Sequence, residues 1–210
     1  MNILLIGAGN MGSAFARQFA RAGHRVRIAA TSLGKAQAVA AGIPGVTAVD
    51  AAGSASDADA VIVATPYERA VAALDNAGPL DGKVVVDVTN PLTADYMGLT
   101  IGHDTSAAEQ IAKAFPAAEV VKAFNTLFAQ VIADGPAFAD GSTAPTFVAS
   151  DSSRAKATAT TLAQSIGFDV IDAGALRNAR YLEPLAGLNI YLGYGAGQGT
   201  GIAPTWIRRG

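Results

Sequence analysis

The chain has 210 residues, of which 50% are hydrophobic and 15% charged, and its formal net charge is −2. It is long enough to bury one sizeable core, and the absence of a basic run excludes nucleic acid as an expected partner. The absence of cysteine excludes disulfides, thiol catalysis and cysteine-based metal sites, and the spacing of the two histidines predicts no metal site. The low charge content predicts extra buried surface, such as the interface of a homo-oligomer, most simply a dimer.

The chain opens with a predicted strand, glycine turn and helix. The apolar run Met1–Ile6 is followed by GAGNMG, and Ser13–Ala22 has the apolar spacing of a helix. In this order Gly7 permits a tight turn, Gly9 lets the backbone approach phosphates, and Gly12 lets the helix pack on the strand. The pattern is typical of a dinucleotide pyrophosphate bound at a helix N-terminus.

The second predicted strand, Arg25–Ala30, indicates which dinucleotide is bound. It lacks the terminal acidic residue that would bind the ribose 2′-hydroxyl of NAD and repel a 2′-phosphate. Thr31, Ser32 and Lys35 follow instead, and two hydroxyls, a helix start and a lysine favour a 2′-phosphate. We therefore predict NADP, with these three residues as phosphate contacts. Ser32 can also serve as the N-cap of the next helix, and both roles are compatible.

Strands and helices alternate along the rest of the chain. Further strands are predicted at 46–49, 59–64, 83–88, 119–124, 146–149 and 168–171, and helices at 35–41, 67–77, 106–115, 152–166 and 176–192, with one or two helical turns at 50–56. This alternation predicts an α/β fold with a doubly wound parallel sheet, an extended NAD(P)-binding Rossmann fold. We expect a dinucleotide-binding core over 1–125. A smaller region over 126–210 would extend the sheet, complete the substrate pocket or dimer contact, and end in a short helical and glycine-rich extension.

Ligands of such sheets lie at the carboxyl ends of the strands. The segments that follow the fourth, fifth and sixth strands are Thr65–Tyr67, Thr89–Pro91 and Asn125–Leu127. We expect them to converge where the nicotinamide of NADP would lie. Pro66 and Pro91 have the alternative role of turn residues, and Asn125 that of a loop-capping amide.

Several other titratable residues have candidate roles. His24 precedes the second strand, at the edge opposite the ligand, and is predicted to be structural. His103 follows the fifth strand and lies either in the pocket or in an exposed loop. Arg177, Arg180 and Glu183 share a helix face, which predicts an internal ion pair or, alternatively, a clamp for an acidic substrate tail.

The glycine-rich end of the chain is uncharged over Pro184–Ile207 but holds six glycines, too many for a membrane span. The first strand starts almost at Met1, which predicts no signal peptide and a cytoplasmic protein. The segment Gly193–Gly199 is either a flexible linker or, as Ile202 and Trp206 suggest, packed, with a dimer partner as one surface.

Several blocks of the sequence together resemble one known family. GAGNMG, the Thr31-Ser32 loop, ATPYE, VVKAFNT and DAGALRNARYLEPLA look like the NADPH-dependent coenzyme F-420 reductase family, the F-420:NADP oxidoreductases. That family is also similar to the cytosolic reductase domains of certain metalloreductases. The resemblance covers nearly the whole chain and implies hydride exchange between the nicotinamide and a deazaflavin, stacked ring against ring above the sheet.

The resemblance also implies roles for individual residues. Those that would hold NADP are Gly7, Ala8, Gly9, Asn10, Met11, Gly12, Thr31, Ser32 and Lys35. Those that would flank its nicotinamide are Ala64, Thr65, Pro66, Asn90 and Pro91. Those that would face the deazaflavin substrate are Asn125, Leu127, Gly195, Ala196 and Gly197.

Two departures from the family pattern leave the second substrate open. Asn125 stands where the archaeal deazaflavin enzymes have a histidine, and Phe128 where they have a proline, so a flavin is the alternative acceptor. A second hypothesis is an NADPH-dependent reductase of a small imine or carbonyl compound, which needs a proton donor; His103, Tyr67 and Tyr194 are the candidates. A third is a non-catalytic NADPH-binding module.

Overall fold

The computed structural model describes residues 1–206 and 209 and contains one eight-stranded sheet. The strands are Asn2–Ile6 (β1), Arg25–Ala29 (β2), Val46–Ala48 (β3), Ala60–Val63 (β4), Val84–Asp87 (β5), Glu119–Ala123 (β6), Pro145–Ala149 (β7) and Asp169–Asp172 (β8). The α-helices are Asn10–Arg21 (α1), Leu33–Ala40 (α2), Tyr67–Asn76 (α3), Ala107–Ala114 (α4), Ala129–Asp134 (α5), Ser153–Ser165 (α6) and Ala179–Ile190 (α7). The predicted α/β Rossmann-like fold class is confirmed.

The sheet order is β3-β2-β1-β4-β5-β6-β7-β8, and β1 to β6 run parallel. The order reverses direction between β1 and β4, so the helices that follow these two strands lie on opposite faces and open a crevice. In register, Ile6 pairs with both Ala29 and Val63, and Val63 pairs with Asp87. The carboxyl ends of these four strands therefore lie level at one edge.

One strand departs from the predicted parallel sheet. β7 is antiparallel to β6, with Lys122 opposite Ala149, while β8 is parallel to β7. An antiparallel partner is entered from the edge at which the previous strand is left, so the connection 124–144 stays at the carboxyl edge. It contains α5, which the sequence analysis did not predict, and Gln18 of α1 donates to the α5 carbonyls of Ile132 and Ala133.

Two other segments differ from expectation. Residues 50–56 form turns rather than a helix, because Gly53 takes φ +69°, a conformation that interrupts a right-handed helix. The predicted helix 176–192 is divided into a 3-10 turn at Leu176–Asn178, α7 and a π-helical turn at Tyr191–Gly195.

The core has one layer on each face of the sheet. Alternate residues of the buried strands point to opposite faces. Leu5 and Ile28 pack with Phe15 and Phe19 under α1, α5 and α6, whereas the other face packs against α3 and α4. No helix in the described part of the chain has both the length and the apolar character that crossing a membrane requires.

The glycine-rich end packs on its own chain. Tyr194 lies edge-on to Phe128, with ring centroids 5.6 Å apart, and Trp206 lies edge-on to Phe147 at 5.2 Å. The Thr200 hydroxyl donates to the Gln130 side chain of α5. The packed alternative for this segment is therefore confirmed, with the chain itself as the packing surface.

Candidate functional site

The glycine turn between β1 and α1 leaves no room for side chains at two of its positions. A Cβ on Gly7 would lie 2.3 Å from the Ala64 carbonyl oxygen, and one on Gly12 would lie 1.8 Å from the Gly7 carbonyl oxygen. A Cβ on Gly9 would meet no described atom within 4 Å. Gly9 is the N-cap of α1 and makes no side-chain cap hydrogen bond, so the first amides of this 12-residue helix face the open side of the turn.

A cleft with a volume of about 860 Å³ lies over this turn. One wall is formed by the β1 and β2 ends, and the other by one face of α3. This first cleft is lined by Ile6, Gly7, Ala8, Gly9, Ala30, Thr31, Lys35, Ala51, Ala64, Thr65, Pro66, Arg69, Ala72, Ala73 and Asn76. The α3 residues follow i, i+3, i+4, i+7 spacing, and the alanines among them leave space for a flat group.

The polar groups of the first cleft carry positive charge. Lys35 Nζ donates to Thr31 Oγ1 at 3.2 Å, and Arg69 lies on the α3 wall. None of the described residues that line the cleft is acidic. Ser32 is the N-cap of α2, and its side chain accepts from the Lys35 amide at 3.4 Å, which confirms the capping alternative. The cleft can therefore accept an anion without a repelling carboxylate.

A second cleft, of about 490 Å³, adjoins the first at the ends of β4 and β5. Ala64, Thr65 and Pro66 line both clefts. The second is completed by Met11, Tyr67, Glu68, Val88, Thr89, Asn90, Leu92, Thr93, Ala94, Tyr96 and Thr100. Its outer wall is the loop 91–106, which closes on itself through a bridge between Leu92 and Leu99.

The floor of the second cleft is tied to the neighbouring strand by a pair of amides. Asn90 Nδ2 donates to the Asn125 carbonyl oxygen at 2.8 Å, and Asn125 Nδ2 donates to Asn90 Oδ1 at 2.9 Å and to the Leu182 carbonyl oxygen at 3.0 Å. Phe124, next to this amide, is buried and takes φ +60°, which is rare for a bulky residue and costs free energy. Its ring packs edge-on against Phe15, with centroids 5.1 Å apart.

Three charged side chains lie buried beneath this pair. Lys122 Nζ is 2.8 Å from Asp87 Oδ2 and 2.8 Å from Glu183 Oε1, and the three side chains are 0%, 0% and 2% exposed. Lys122 Nζ also donates to the Thr89 carbonyl oxygen at 2.6 Å. The interaction of β5, β6 and α7 thus includes a solvent-free ion cluster with one cation and two carboxylates.

Lys122 lies between the two carboxylates, and this arrangement determines whether its amine is charged. Burial alone would lower the pKa of Lys122, but the charges of Asp87 and Glu183 outweigh it and hold the pKa above its usual value. Burial raises the pKa of Glu183, against the attraction of Lys122, and the second carboxylate raises it further. Lys122 is therefore charged at neutral pH.

Some of the predicted site residues are brought together by these two clefts. Gly7, Ala8, Gly9, Thr31, Lys35, Ala64, Thr65 and Pro66 line the first, and Met11, Ala64, Thr65, Pro66 and Asn90 line the second. Asn10 lines a separate groove with Arg17 and Phe128. The residues that line neither cleft are Gly12, Ser32, Pro91, Asn125, Leu127, Gly195, Ala196 and Gly197.

The reasons for this separation are local. Gly12 packs on Gly7, and Leu127 is 4% exposed within the core. Asn125 is 3% exposed and lies under Asn90. Gly195 packs beside Tyr191 and Met97, where a Cβ would lie 2.8 Å from the tyrosine ring. The glycine-rich turn therefore contacts the back of the loop 91–106 rather than the second cleft.

The histidines and tyrosines are also separated. His24 lies at the amino edge, with Nδ1 3.2 Å from the Met1 amine and Nε2 2.9 Å from Ser165 Oγ, which confirms its structural role. His103 lines another cavity with Arg177 and Arg180, and Tyr194 lines the groove of Asn10. Tyr67 lines the second cleft, and its hydroxyl donates to the Gln110 side chain.

The ion pair predicted on the last helix has different partners. Arg180 binds Glu109 of α4 through two nitrogens, with Nη2 2.7 Å from Oε1. Glu183 points to Lys122 instead. The spacing along α7 puts these side chains on one face, but α4 and β6 offer opposite charges that are closer. The prediction of a pair within α7 is therefore wrong.

Sequence reasoning missed Arg69 and the buried cluster. Arg69 could have been found, because it starts the i, i+3, i+4, i+7 face of the helix that follows β4. Asp87 and Lys122 each follow a run of buried valines in their strands, and a charge inside a buried strand requires a partner. That partner, Glu183, lies 61 residues from Lys122 in the sequence and could not be assigned without the fold.

Comparison with known proteins identifies the family. The family model for NADP oxidoreductases, coenzyme F-420-dependent, matches residues 2–91. The structure of a candidate F-420-dependent NADP reductase from Arthrobacter sp. FB24 is 33% identical, with a TM-score of 0.88, and the match covers 99% of this chain and 100% of that one. This chain belongs to that family. It is therefore an oxidoreductase of an NADP-dependent family, as the resemblance of its motifs predicted.

Two further matches carry less weight, because one covers only about half of this chain and the other shows the fold alone. The metalloreductase STEAP3 of Rattus norvegicus is 38% identical over 109 residues, which are 52% of this chain and 21% of that protein. The chain thus matches about a fifth of the length of the curated relatives. An imine reductase of Streptomyces aurantiacus shares the fold, with a TM-score of 0.66 over 93% of this chain and 64% of that one, at 17% identity.

Proposed function

We propose that this member of the family transfers a hydride between NADPH and a planar ring acceptor, either the deazaflavin coenzyme F-420 or a flavin. The observation that carries the proposal is the continuity of the two clefts through Ala64, Thr65 and Pro66. One dinucleotide can span them, with its adenosine half in the first and its nicotinamide in the second. The assignment of the family to NADP and coenzyme F-420 supports this acceptor class.

The residues of the first cleft fit NADP. The open side of Gly9 and the free amides of α1 suit a pyrophosphate. Thr31, Ser32 and Lys35 would hold the 2′-phosphate, and no described carboxylate of the cleft would repel it. Bound NADPH supplies the hydride from C4 of its nicotinamide ring.

The second cleft would orient the rings. Thr65, Pro66, Asn90 and Met11 line its base, and the loop 91–106 shields one side from water. Hydride transfer between two stacked rings depends on their placement and on the exclusion of water more than on a strong acid or base. We assign these residues to ring placement.

A second candidate function is the reduction of a small imine or carbonyl compound. It is favoured by Tyr67, which lines the second cleft and would donate the proton that this chemistry needs once its hydroxyl turns from Gln110 to the substrate. His103 and Tyr194 line other cavities, so Tyr67 is the remaining donor of the three predicted. Burial raises the pKa of Tyr67, and Glu183 raises it further, which keeps the hydroxyl protonated.

We also propose a homodimer whose contact includes the region 126–210. Tyr181, Leu188 and Tyr191 are 74%, 55% and 50% exposed on one side of α7 and its π-helical extension. Large side chains with this much exposed surface on one side of a helix are typical of an interface. Sedimentation analysis of the wild type and of Leu188→Glu tests this proposal. A monomer mass for both proteins would contradict it.

The decisive experiment offers NADPH several acceptors. Purified protein is mixed with NADPH and, in turn, coenzyme F-420, FMN, FAD and a panel of imines, while the absorbance of the reduced nicotinamide is followed. The matched control is Gly9→Ala, which meets no described atom within 4 Å and should fold but block the backbone approach to the pyrophosphate.

Each outcome selects one function. Oxidation with F-420 or a flavin, lost in Gly9→Ala, supports ring-to-ring hydride transfer. Oxidation with imines alone replaces it with the second candidate. Tight NADPH binding without oxidation by any acceptor indicates a non-catalytic NADPH-binding module and contradicts both.

A further inference from the structure

The ion cluster of Lys122, Asp87 and Glu183 lines neither cleft, so it does not contact the groups between which the proposed hydride transfer takes place. Its three side chains are at most 2% exposed, so each has lost its hydration. An apolar replacement of such a buried cluster is often neutral or stabilising. Stability by itself is therefore a poor reason for three charges at this place, and their contacts indicate another one.

The contacts of the cluster converge on one residue of the second cleft. The Thr89 amide donates to Asp87 Oδ1 at 2.8 Å, and the Thr89 carbonyl accepts from Lys122 Nζ at 2.6 Å. Both backbone polar groups of Thr89 are thus bound to opposite charges of a single ion pair. Thr89 and the adjacent Asn90 line the second cleft.

The cluster is also connected to Asn125, which follows β6 and contacts Asn90. Glu183 accepts from the α4 amides of Ala107 and Ala108, at 3.0 and 3.3 Å, and so joins α7 to the start of α4. The preceding residue, Leu182, accepts from Asn125, which in turn donates to Asn90. Asn90 is therefore held along β5 through Asp87 and across to α7 through Asn125.

We propose that Lys122 is a positioning residue for the nicotinamide end of the second cleft, acting through the Thr89 carbonyl and Asp87 on the backbone of Thr89 and Asn90. The identity of the bound ring rests on the proposed function. Hydrogen bonds to charged groups are shorter and stronger than neutral ones, so they can hold this part of the cleft wall in a fixed position. A displacement of about 1 Å at such a wall can reduce a rate by about 100-fold.

The main test variant removes one positive and one negative side chain of the cluster, so the net charge of the cluster stays as in the wild type. Lys122→Met alone leaves two buried carboxylates without a cation and is expected to prevent folding. The double variant Lys122→Met/Glu183→Gln retains one net negative charge, as in the wild type. Glu183→Gln alone retains the bond from Lys122 to Thr89 and serves as its reference. Glu109→Gln, which removes the other ion pair between α4 and α7, is the matched control.

Two readouts separate the halves of the site. Calorimetry measures the binding of 2′,5′-ADP, which lacks the nicotinamide half, and of NADP⁺. Turnover is measured with the acceptor that the wild type uses. We expect 2′,5′-ADP to bind all variants alike. In the double variant, NADP⁺ should no longer bind more tightly than 2′,5′-ADP, because the nicotinamide half adds no affinity. Its kcat should fall about 100-fold below that of Glu183→Gln. Glu109→Gln follows the wild type.

Two results would overturn the inference. In the first, the double variant keeps the NADP⁺ affinity and kcat of Glu183→Gln. In the second, 2′,5′-ADP binding declines in step with NADP⁺ binding, which indicates a loss of the whole fold. If the wild type oxidises NADPH with no acceptor, the proposed function fails, and the binding comparison still decides the role of Lys122.

Discussion

The two clefts at the carboxyl edge are built in different ways. The first is made by short segments that each follow one strand and by one face of α3. Its polar groups are hydroxyls, backbone amides and the side chains of Lys35 and Arg69. The second has a floor that depends on contacts between Asp87, Asn90, Lys122, Asn125 and Glu183, which come from different elements. The first cleft is a property of local motifs, whereas the second is a property of the assembled sheet.

This difference shows how one fold can keep its coenzyme and change its second substrate. A backbone cradle needs glycine at fixed positions and tolerates little else. A floor held by side chains can be altered by a single exchange at Asn125, one of the two positions that depart from the resemblance. Changes in the first cleft should therefore affect nucleotide binding, and changes in the second should affect the reaction.

The largest expected effect is that of Gly12→Ala. The new Cβ would lie 1.8 Å from the Gly7 carbonyl oxygen, so either α1 or the turn must move. We expect loss of NADPH and NADH binding together with destabilisation by about 3 kcal/mol or more. Calorimetry and thermal unfolding measure the two effects.

Gly9→Ala is the comparison for this variant. It should unfold at the temperature of the wild type and still lose nucleotide affinity, because its Cβ enters only the open side of the turn. Normal binding by Gly12→Ala would show that the turn does not cradle the pyrophosphate.

The next effect concerns the choice between NADPH and NADH. Ser32→Asp retains an N-cap for α2 but places a carboxylate beside the predicted 2′-phosphate. Like charges in contact cost several kcal/mol, so NADPH should bind on the order of 100-fold more weakly while NADH is little changed. Equal losses for the two nucleotides, measured by calorimetry, would contradict the phosphate assignment.

A smaller effect is expected for Asn125→Ala, which tests the floor of the second cleft. The change removes the donor to Asn90 Oδ1 and to the Leu182 carbonyl oxygen, both in a buried setting. Each unsatisfied acceptor costs roughly 1–3 kcal/mol, so urea unfolding should show a loss of that order. NADPH turnover should fall while 2′,5′-ADP binding stays the same; the reverse pattern would place Asn125 in the first cleft.

The smallest effect lies at the amino edge, away from both clefts. Burial, and then the N-terminal charge, hold the pKa of His24 below 6.5 in the folded chain. The folded state thus favours the neutral ring, and this stabilisation is complete above 6.5 and lost as the pH falls towards the folded pKa. His24→Gln does not titrate, so its stability relative to wild type should rise as the pH falls from about 8 to about 5.

Urea unfolding over that pH range checks the prediction for His24. NADPH affinity should be unchanged in the variant, because the histidine lies at the opposite edge of the sheet from the glycine turn. A constant stability difference over the whole range would show that His24 titrates alike in the folded and unfolded chain.

Much of the first cleft was predictable because its signals are short in sequence. The glycine turn and the absence of an acidic residue after β2 each involve only residues that lie close together in the sequence. Arg69 was not predicted, although the i, i+3, i+4, i+7 spacing of its helix face is present in the sequence. The contacts of Ser32 and Lys35 with a phosphate stay predictions.

Long-range pairing accounts for what was not predictable. The pattern of β7 is that of any buried strand, and nothing in it distinguishes an antiparallel from a parallel neighbour. The partners of Arg180 and Glu183 were wrong for a similar reason: a helix face shows which residues point together, but not which other element they meet.

The amino-acid sequence by itself determined the order of the strands and of the helices other than α5, the glycine turn and the family, since hydrophobic periodicity and backbone requirements act between near neighbours. Only the tertiary structure decided the direction of β7, the course of the glycine-rich end and the pairing of Lys122 with Glu183. The physical reason is that a buried charge selects a partner by distance in space, and that distance exists only once the sheet has formed.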